Sequence, residues 1–160
     1  MIFRRQHEPD RVRRYSSDEQ LRRIDDETRA TVHAYAAQSP EMIERRIHEL
    51  RCEWSVERYL QLNVAAIGLT TALLAVTHDR RWGIATCIGL GFFLFHAVDG
   101  FDPPLPFLRR AGLRTRAEIE RELYALKALR GDFEAVEPAE DGLQEDQAQA
   151  AFEAVGVGSP

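Results

Sequence analysis

Two apolar windows, four residues apart, do most to limit what this chain can fold into. The first, "YLQLNVAAIGLTTALLAVT", runs from Tyr59 to Thr77, and the second, "WGIATCIGLGFFLFHAV", from Trp82 to Val98. From Gln61 to Val98 only Asp79, Arg80 and Arg81 carry a formal charge. Helices over these windows span roughly 25–29 Å at 1.5 Å per residue, close to a hydrocarbon core of about 30 Å. The "HDRR" connection forces them to run antiparallel. The sequence therefore predicts a transmembrane helical hairpin over 59–98 within an all-α protein.

Each window holds about eight strongly apolar residues, worth roughly −0.3 to −0.6 kcal/mol apiece near a helix centre. That favours insertion by a few kcal/mol, before penalties from Thr70, Thr71, the glycines and His96. Helix pairing adds to it. Ala65, Gly68, Ala72 and Ala75 share one face of the first window, and Gly83, Cys87 and Gly91 share one face of the second. Small residues let helices approach closely in lipid, so these are the expected packing residues, and a homo-oligomer is expected to use such faces too. Tyr59 and Trp82 stand where interfacial aromatics are favoured, and Arg58, Arg80, Arg81, Arg109 and Arg110 stand where long cationic side chains reach headgroups.

The exit from the second window reads "GFDPPLPFLRRAGLRT", Gly100 to Thr115. Pro103, Pro104 and Pro106 stop a helix, and Asp102 before Pro103 is biased to extended geometry. Arg109, Arg110, Arg114 and Arg116 follow, Arg45, Arg46, Arg51 and Arg58 precede the hairpin, and the connection has only Arg80 and Arg81. That asymmetry predicts a multi-pass protein of the inner membrane with both termini cytoplasmic.

The 160 residues are 44% hydrophobic and 29% charged, an average that hides this segregation. Residues 1–15 hold five arginines and two acids, and read as a basic disordered arm. Arg4, Arg5, Arg11, Arg13 and Arg14 suit anionic headgroups. Nucleic acid is not expected, because no aromatic is interleaved among them. Residues 16–58 read as a cytoplasmic helical region. Ser16 with Glu19, or Ser17 with Gln20, fits a capping box opening a helix with Leu21, Ile24, Val32 and Tyr35 on one stripe. Ser39 as cap and Pro40 at the first position open another. Its stripe is Ile43, Ile47, Leu50 and Trp54, and it is expected to run on into the first window.

Residues 99–133 combine the proline-rich exit with an amphipathic helix capped by Thr115 and Glu118. Ile119, Leu123, Leu126 and Leu129 or Phe133 form its stripe, and Gly131 ends it. Residues 134–160 carry seven acids and no Lys or Arg, and read as an acidic disordered tail.

Little chemistry is expected. Glu44, His48 and Cys52 share a helix face, but three ligands over two turns span about 12 Å, too far for one ion. No metal, cofactor or catalytic group is predicted. Cys52 and Cys87 form no CxxC pair, and no disulfide is expected. The polar group His96, Asp99 and Asp102 closes the second window, where ionisable residues warrant attention as a site. Pro103 and Pro106 make a PxxP that a helix stop explains.

The run from Arg58 to about Phe133, with its short hairpin and "VDGFDPPLPFLRRAGLRT" exit, resembles the YgaP-like transmembrane domain family. The resemblance implies a bacterial inner-membrane hairpin of the kind found fused to rhodanese-type domains or standing alone. Members commonly place a cysteine after the Gly-Phe of the exit, where this chain has Asp102, so no sulfur chemistry carries over. The expected function is a non-enzymatic membrane scaffold, anchor or regulator of a partner. The alternatives are a small oligomeric transport subunit and a soluble helical bundle with the hairpin as its core.

Overall fold

The computed structural model describes residues 10–99, 104–136 and 145–155, and all regular structure among them is helical. In chain order the helices are α1 (Arg11–Arg14), α2 (Asp18–Tyr35), α3 (Pro40–Cys52), α4 (Val56–Thr77), α5 (Trp82–Asp99), α6 (Leu105–Arg110), α7 (Arg116–Arg130) and α8 (Glu145–Val155). The chain divides into two compact units: Met1–Asp25 with Trp54–Ala117, and Asp26–Glu53 with Glu118–Pro160. Arg4, Arg5, Gly100, Asp102 and Pro103 lie outside the described residues.

In the first unit, α4 and α5 pack as an antiparallel pair. Thr71 meets Thr86 at 2.7 Å, and a methyl added at Gly83 would meet that of Ala75 at 3.9 Å. The paired residue numbers (71 with 86, 75 with 83) rise on one helix as they fall on the other. The start of α4 and the finish of α5 therefore share one end, and the His78–Arg81 connection forms the other.

A small cap is built at the shared end. Val12 of α1 packs with Val56 and Leu60 at the start of α4 and with Leu105 and Leu108 of α6, flanked by Leu113. The backbone N–H of Val56 donates to Arg114 O at 2.9 Å, and that of Arg116 donates to the Glu57 carboxylate at 3.1 Å. Residues 10–15 thus depart from the disordered arm expected of them. Asp10 explains why: its carboxylate accepts the N–H groups of Val12 and Arg13, capping α1. It also accepts the Thr115 hydroxyl, a partner 105 residues away that no local reading finds.

The continuous helix expected from α3 into the first window is also interrupted. Glu53 and Ser55 are extended, with ψ of 139° and 159°, and the Ser55 hydroxyl oxygen accepts the Arg58 N–H to start α4 afresh. Trp54 falls in this break and is exposed, so it leaves the apolar stripe assigned to it.

The second unit buries its apolar stripes against each other. Ile43, Ile47 and Leu50 of α3 recur at helical spacing and pack with Ile119 and Leu126 of α7, with Tyr35 and Leu123 alongside. Gly131, at φ 90°, ends α7 in the left-handed conformation that glycine adopts cheaply. Of the two residues expected to close the stripe, Leu129 is exposed and Phe133 is half-buried. Ser39 makes no side-chain bond to the helix amides. Its hydroxyl bonds the Glu41 carboxylate instead and lowers that group's pKa. The expected disordered tail contains α8, whose Ala154 is buried.

Candidate functional site

The outer surface of the α4–α5 pair is the chemical singularity of this molecule. Leu62, Ile67, Leu69, Leu73 and Val76 of α4 are exposed, as are Ile84, Ile88, Leu90, Phe92, Leu94 and Val98 of α5. Val76 is 87% exposed and Val98 70%. Among the described residues one stretch, Pro40–Thr77, which holds α3, the break after it and α4, contains a window long and apolar enough to cross a membrane, and that window is 11% buried. Trp82–Val98 is a shorter apolar helix.

Asn63 and the threonines of this pair bond to the backbone of their own helices. Asn63 Nδ2 donates to Tyr59 O at 2.8 Å, Thr70 Oγ1 to Ala66 O at 2.8 Å, and Thr77 Oγ1 to Leu73 O at 2.8 Å. Thr71 Oγ1 lies 2.9 Å from Ile67 O, and Thr86 Oγ1 lies 3.3 Å from Trp82 O. Such back-bonding gains little in water, where a hydroxyl always finds a partner. It matters where water is absent, because an unbonded donor there has nothing to replace it.

The seam between the helices differs from the expected small-residue faces. Gly68, Ala72, Ala75 and Gly83 are half-buried, whereas Ala65, Cys87 and Gly91 are exposed. On α5 the half-buried residues are Gly83, Ala85, Thr86, Gly89, Phe93 and His96, so the helix is rotated to keep Gly83 in the seam and leave Cys87 and Gly91 outside it. The Thr71–Thr86 bond accounts for the rotation, since two hydroxyls must both point into the seam to meet. Nothing lies within 4 Å of where a Cβ would stand at Gly68, Gly89 or Gly91, so those glycines are not sites of close approach. Thr71, expected as an insertion penalty or as polar surface in a transport subunit, makes a polar contact between the helices.

Aromatic and basic groups mark both ends. At the cap end the Arg58 guanidinium lies 4.5 Å from the centre of the Trp54 ring, and Tyr59 is exposed. At the connection Trp82, Arg80 and Arg81 are exposed, and the Arg81 N–H bonds the Asp79 carboxylate at 2.8 Å.

The cap overturns one interfacial assignment and narrows another. Arg109, expected at the headgroups, is 0% exposed. Its Nε donates to Ser16 Oγ at 2.9 Å and its Nη1 to Leu113 O at 3.1 Å, while Ser16 Oγ donates to Val12 O at 3.1 Å. Burial of a guanidinium requires such partners, so this arginine is bound into the protein. Arg13, assigned to anionic headgroups, is buried too and forks onto Asp25 at 3.1 and 2.9 Å. Arg14 is half-buried, and the Arg11 side chain lies outside the described residues. Arg110 is exposed as expected, and lines a cavity of about 510 Å³ with Tyr15, Ser17, Glu19, Gln20, Arg23 and Pro106. The Ser17–Gln20 capping box beside it forms, with bonds of 3.1 and 3.2 Å.

Of the polar group at the end of α5, His96 is half-buried with an Nδ1 that is buried and without a hydrogen-bond partner. The Asp99 side chain and Asp102 lie outside the described residues. Glu44, His48 and Cys52 are all exposed, and no group of three metal-ligating side chains occurs among the described residues. Cys52 and Cys87 are exposed free thiols.

The second unit buries charges that the sequence reading missed. Glu122, 1% exposed, accepts Arg46 Nε at 3.0 Å and Nη2 at 2.9 Å. Lys127, 2% exposed, donates to Ala154 O in the last turn of α8 at 2.9 Å, where a cation suits the helix dipole. Burial lowers its pKa, and Asp132 opposes that shift. Arg130 forks onto Asp132 at 2.7 and 2.7 Å. That bond holds the Asp132 carboxyl below its usual range and raises Arg130. A signal did exist for Glu122, which stands between Ile119 and Leu126 on the apolar stripe.

No family model matches this chain, and no curated protein or solved structure does.

Proposed function

We propose that this chain is a non-enzymatic integral membrane protein whose α4 and α5 cross the lipid as a hairpin. Both ends of the hairpin face the cytoplasm of a bacterium, and the helices outside the lipid hold or regulate a partner, with self-association in the membrane as part of that role. One observation carries this reading. The pair exposes its large apolar side chains while its threonines and Asn63 bond to their own backbone. A soluble bundle with this hairpin as its core would bury Leu69, Val76 and Leu94, and they are exposed. The 22 residues of α4 extend about 33 Å, and Trp54, Tyr59 and Trp82 stand at the levels where aromatic belts form. The likeness of the exit segment to YgaP-like hairpins agrees with it.

Fractionation of the full-length protein expressed in bacteria, with the membrane pellet extracted at alkaline pH, tests the reading. Retention in the pellet is the expected outcome. Release into the soluble phase overturns it.

A further inference from the structure

We propose that α6 is an interfacial helix that seats Phe107 in the boundary between headgroups and acyl chains of the cytoplasmic leaflet. The inference rests on the reading that α4 and α5 cross the membrane, and it adds a second lipid contact beside the hairpin itself. Packing sets the depth. Leu105 and Leu108 of α6 are buried with Val56 and Leu60 of α4. Leu60 belongs to the first turn of the apolar window that opens at Tyr59. The short α6 is therefore held at the level where α4 enters the apolar layer. Phe107 is left outside that core and is 69% exposed. Tyr59 at the start of α4 and Val98 at the finish of α5 are exposed at the same end, so apolar surface continues from the hairpin to the level of α6. An exposed phenyl ring is unfavourable in water and is stabilised where acyl chains begin.

The backbone of α6 suits a layer poor in water. A helix start ordinarily leaves its first N–H groups without partners inside the helix, and such groups are costly where water is scarce. Here Pro104 and Pro106 carry no N–H, and those of Phe107 and Leu108 donate to Pro104 O at 3.0 and 3.2 Å. At the other end the Ala111 N–H donates to Phe107 O at 2.9 Å, that of Gly112 to Arg109 O at 3.2 Å and that of Leu113 to Leu108 O at 3.1 Å. Gly112, at φ 87°, supplies the left-handed residue that this closure needs. A helix of six residues thus bonds its terminal groups within itself, as Asn63 and Thr70 do on the hairpin. Arg110 is exposed and stands three residues after Phe107, on the same side of α6, where a long cationic side chain reaches outward while the ring stays deeper.

The test uses full-length protein carrying Trp54→Phe and Trp82→Phe, which remove both native tryptophans, in vesicles of phosphatidylglycerol and phosphatidylcholine. A single reporter is then added, Phe107→Trp for α6 or Leu69→Trp for the middle of α4. Phe107→Trp should be quenched about twofold more by bromine near the carbonyl end of the acyl chains than by bromine near their methyl ends, as burial of about 5–10 Å into the boundary requires. Leu69→Trp should show the opposite order. Quenching of Phe107→Trp by acrylamide from the water, with no effect of either brominated lipid, overturns the proposal and turns this side of α6 to the cytoplasm. Shielding from both acrylamide and lipid also overturns it, and gives Phe107 a protein partner. Leu69→Trp separates the two failures. If it too escapes brominated lipid, the hairpin reading fails along with the proposal. If it is quenched while Phe107→Trp is not, only the interfacial seat of α6 fails.

Discussion

The α4–α5 pair and the α3–α7 core are both built from helices, yet they sort their residues in opposite senses. In the α3–α7 core, Ile47, Leu50 and Leu126 are buried, and the charged Glu122 is buried only with Arg46 as its partner. In the α4–α5 pair, Leu69, Leu73 and Leu94 are outside while a threonine, Thr71, is inside. Hydrophobic burial organises the first, because water penalises exposed apolar area. The second leaves its apolar side chains outside, and its seam carries the Thr71–Thr86 hydroxyl bond, a kind of contact that joins helices where burial of apolar area gives no drive. The hydrophobic stripe therefore marks the inside of one region and the outside of the other.

The widest gap between the regions should appear on truncating a leucine in each. Leu126→Ala, in full-length protein held in detergent, should cost about 2–5 kcal/mol because it leaves a cavity in a packed core. Leu69→Ala, at 64% exposure, should stay within about 0.5 kcal/mol, as at other exposed positions. Equal costs by chemical unfolding would break the comparison, since something would then cover Leu69.

A smaller effect sharpens the account of the seam. Thr71→Val should destabilise the pair by about 0.6 kcal/mol, the average for a polar contact between membrane helices. A double-mutant cycle with Thr86→Val should assign that cost to the shared bond. Zero coupling would leave the rotation of α5 unexplained.

The smallest effect is one of pH. Burial lowers the pKa of Lys127 below its ordinary 10.5. Between the lowered value and 10.5 the unfolded chain holds the extra proton, so this site adds stability as pH climbs through that window. Lys127→Met should flatten that rise in unfolding measured from pH 8 to pH 10. An unchanged slope would mean that the ammonium is not buried as described.

Local patterns were legible in the sequence, and long-range partnerships were not. Tyr59–Thr77 and Trp82–Val98 fall within α4 and α5, because uninterrupted apolar composition needs no knowledge of the fold. The Ser17–Gln20 box, Pro40 at the start of α3 and Gly131 at the end of α7 are likewise settled within a few residues. Arg109 reads as interfacial by its position after three prolines, but its partner Ser16 stands 93 residues earlier. Asp10 with Thr115 and Arg46 with Glu122 hide in the same way. The seam on α5 runs through Thr86 and not Cys87 because the Thr71 and Thr86 hydroxyls bond each other, a pairing that the size of glycine and alanine does not reveal.

The cap also imposes an order on biosynthesis. A ribosome delivers Asp10, Val12 and Ser16 long before it delivers Thr115, Leu105 and Arg109, the residues they hold. The N-terminal turn must wait through the synthesis of both apolar helices before its partners emerge. Closure of the cap is thus a late event that reports a completed hairpin, and a chain truncated before residue 105 leaves its N-terminus without a place to dock.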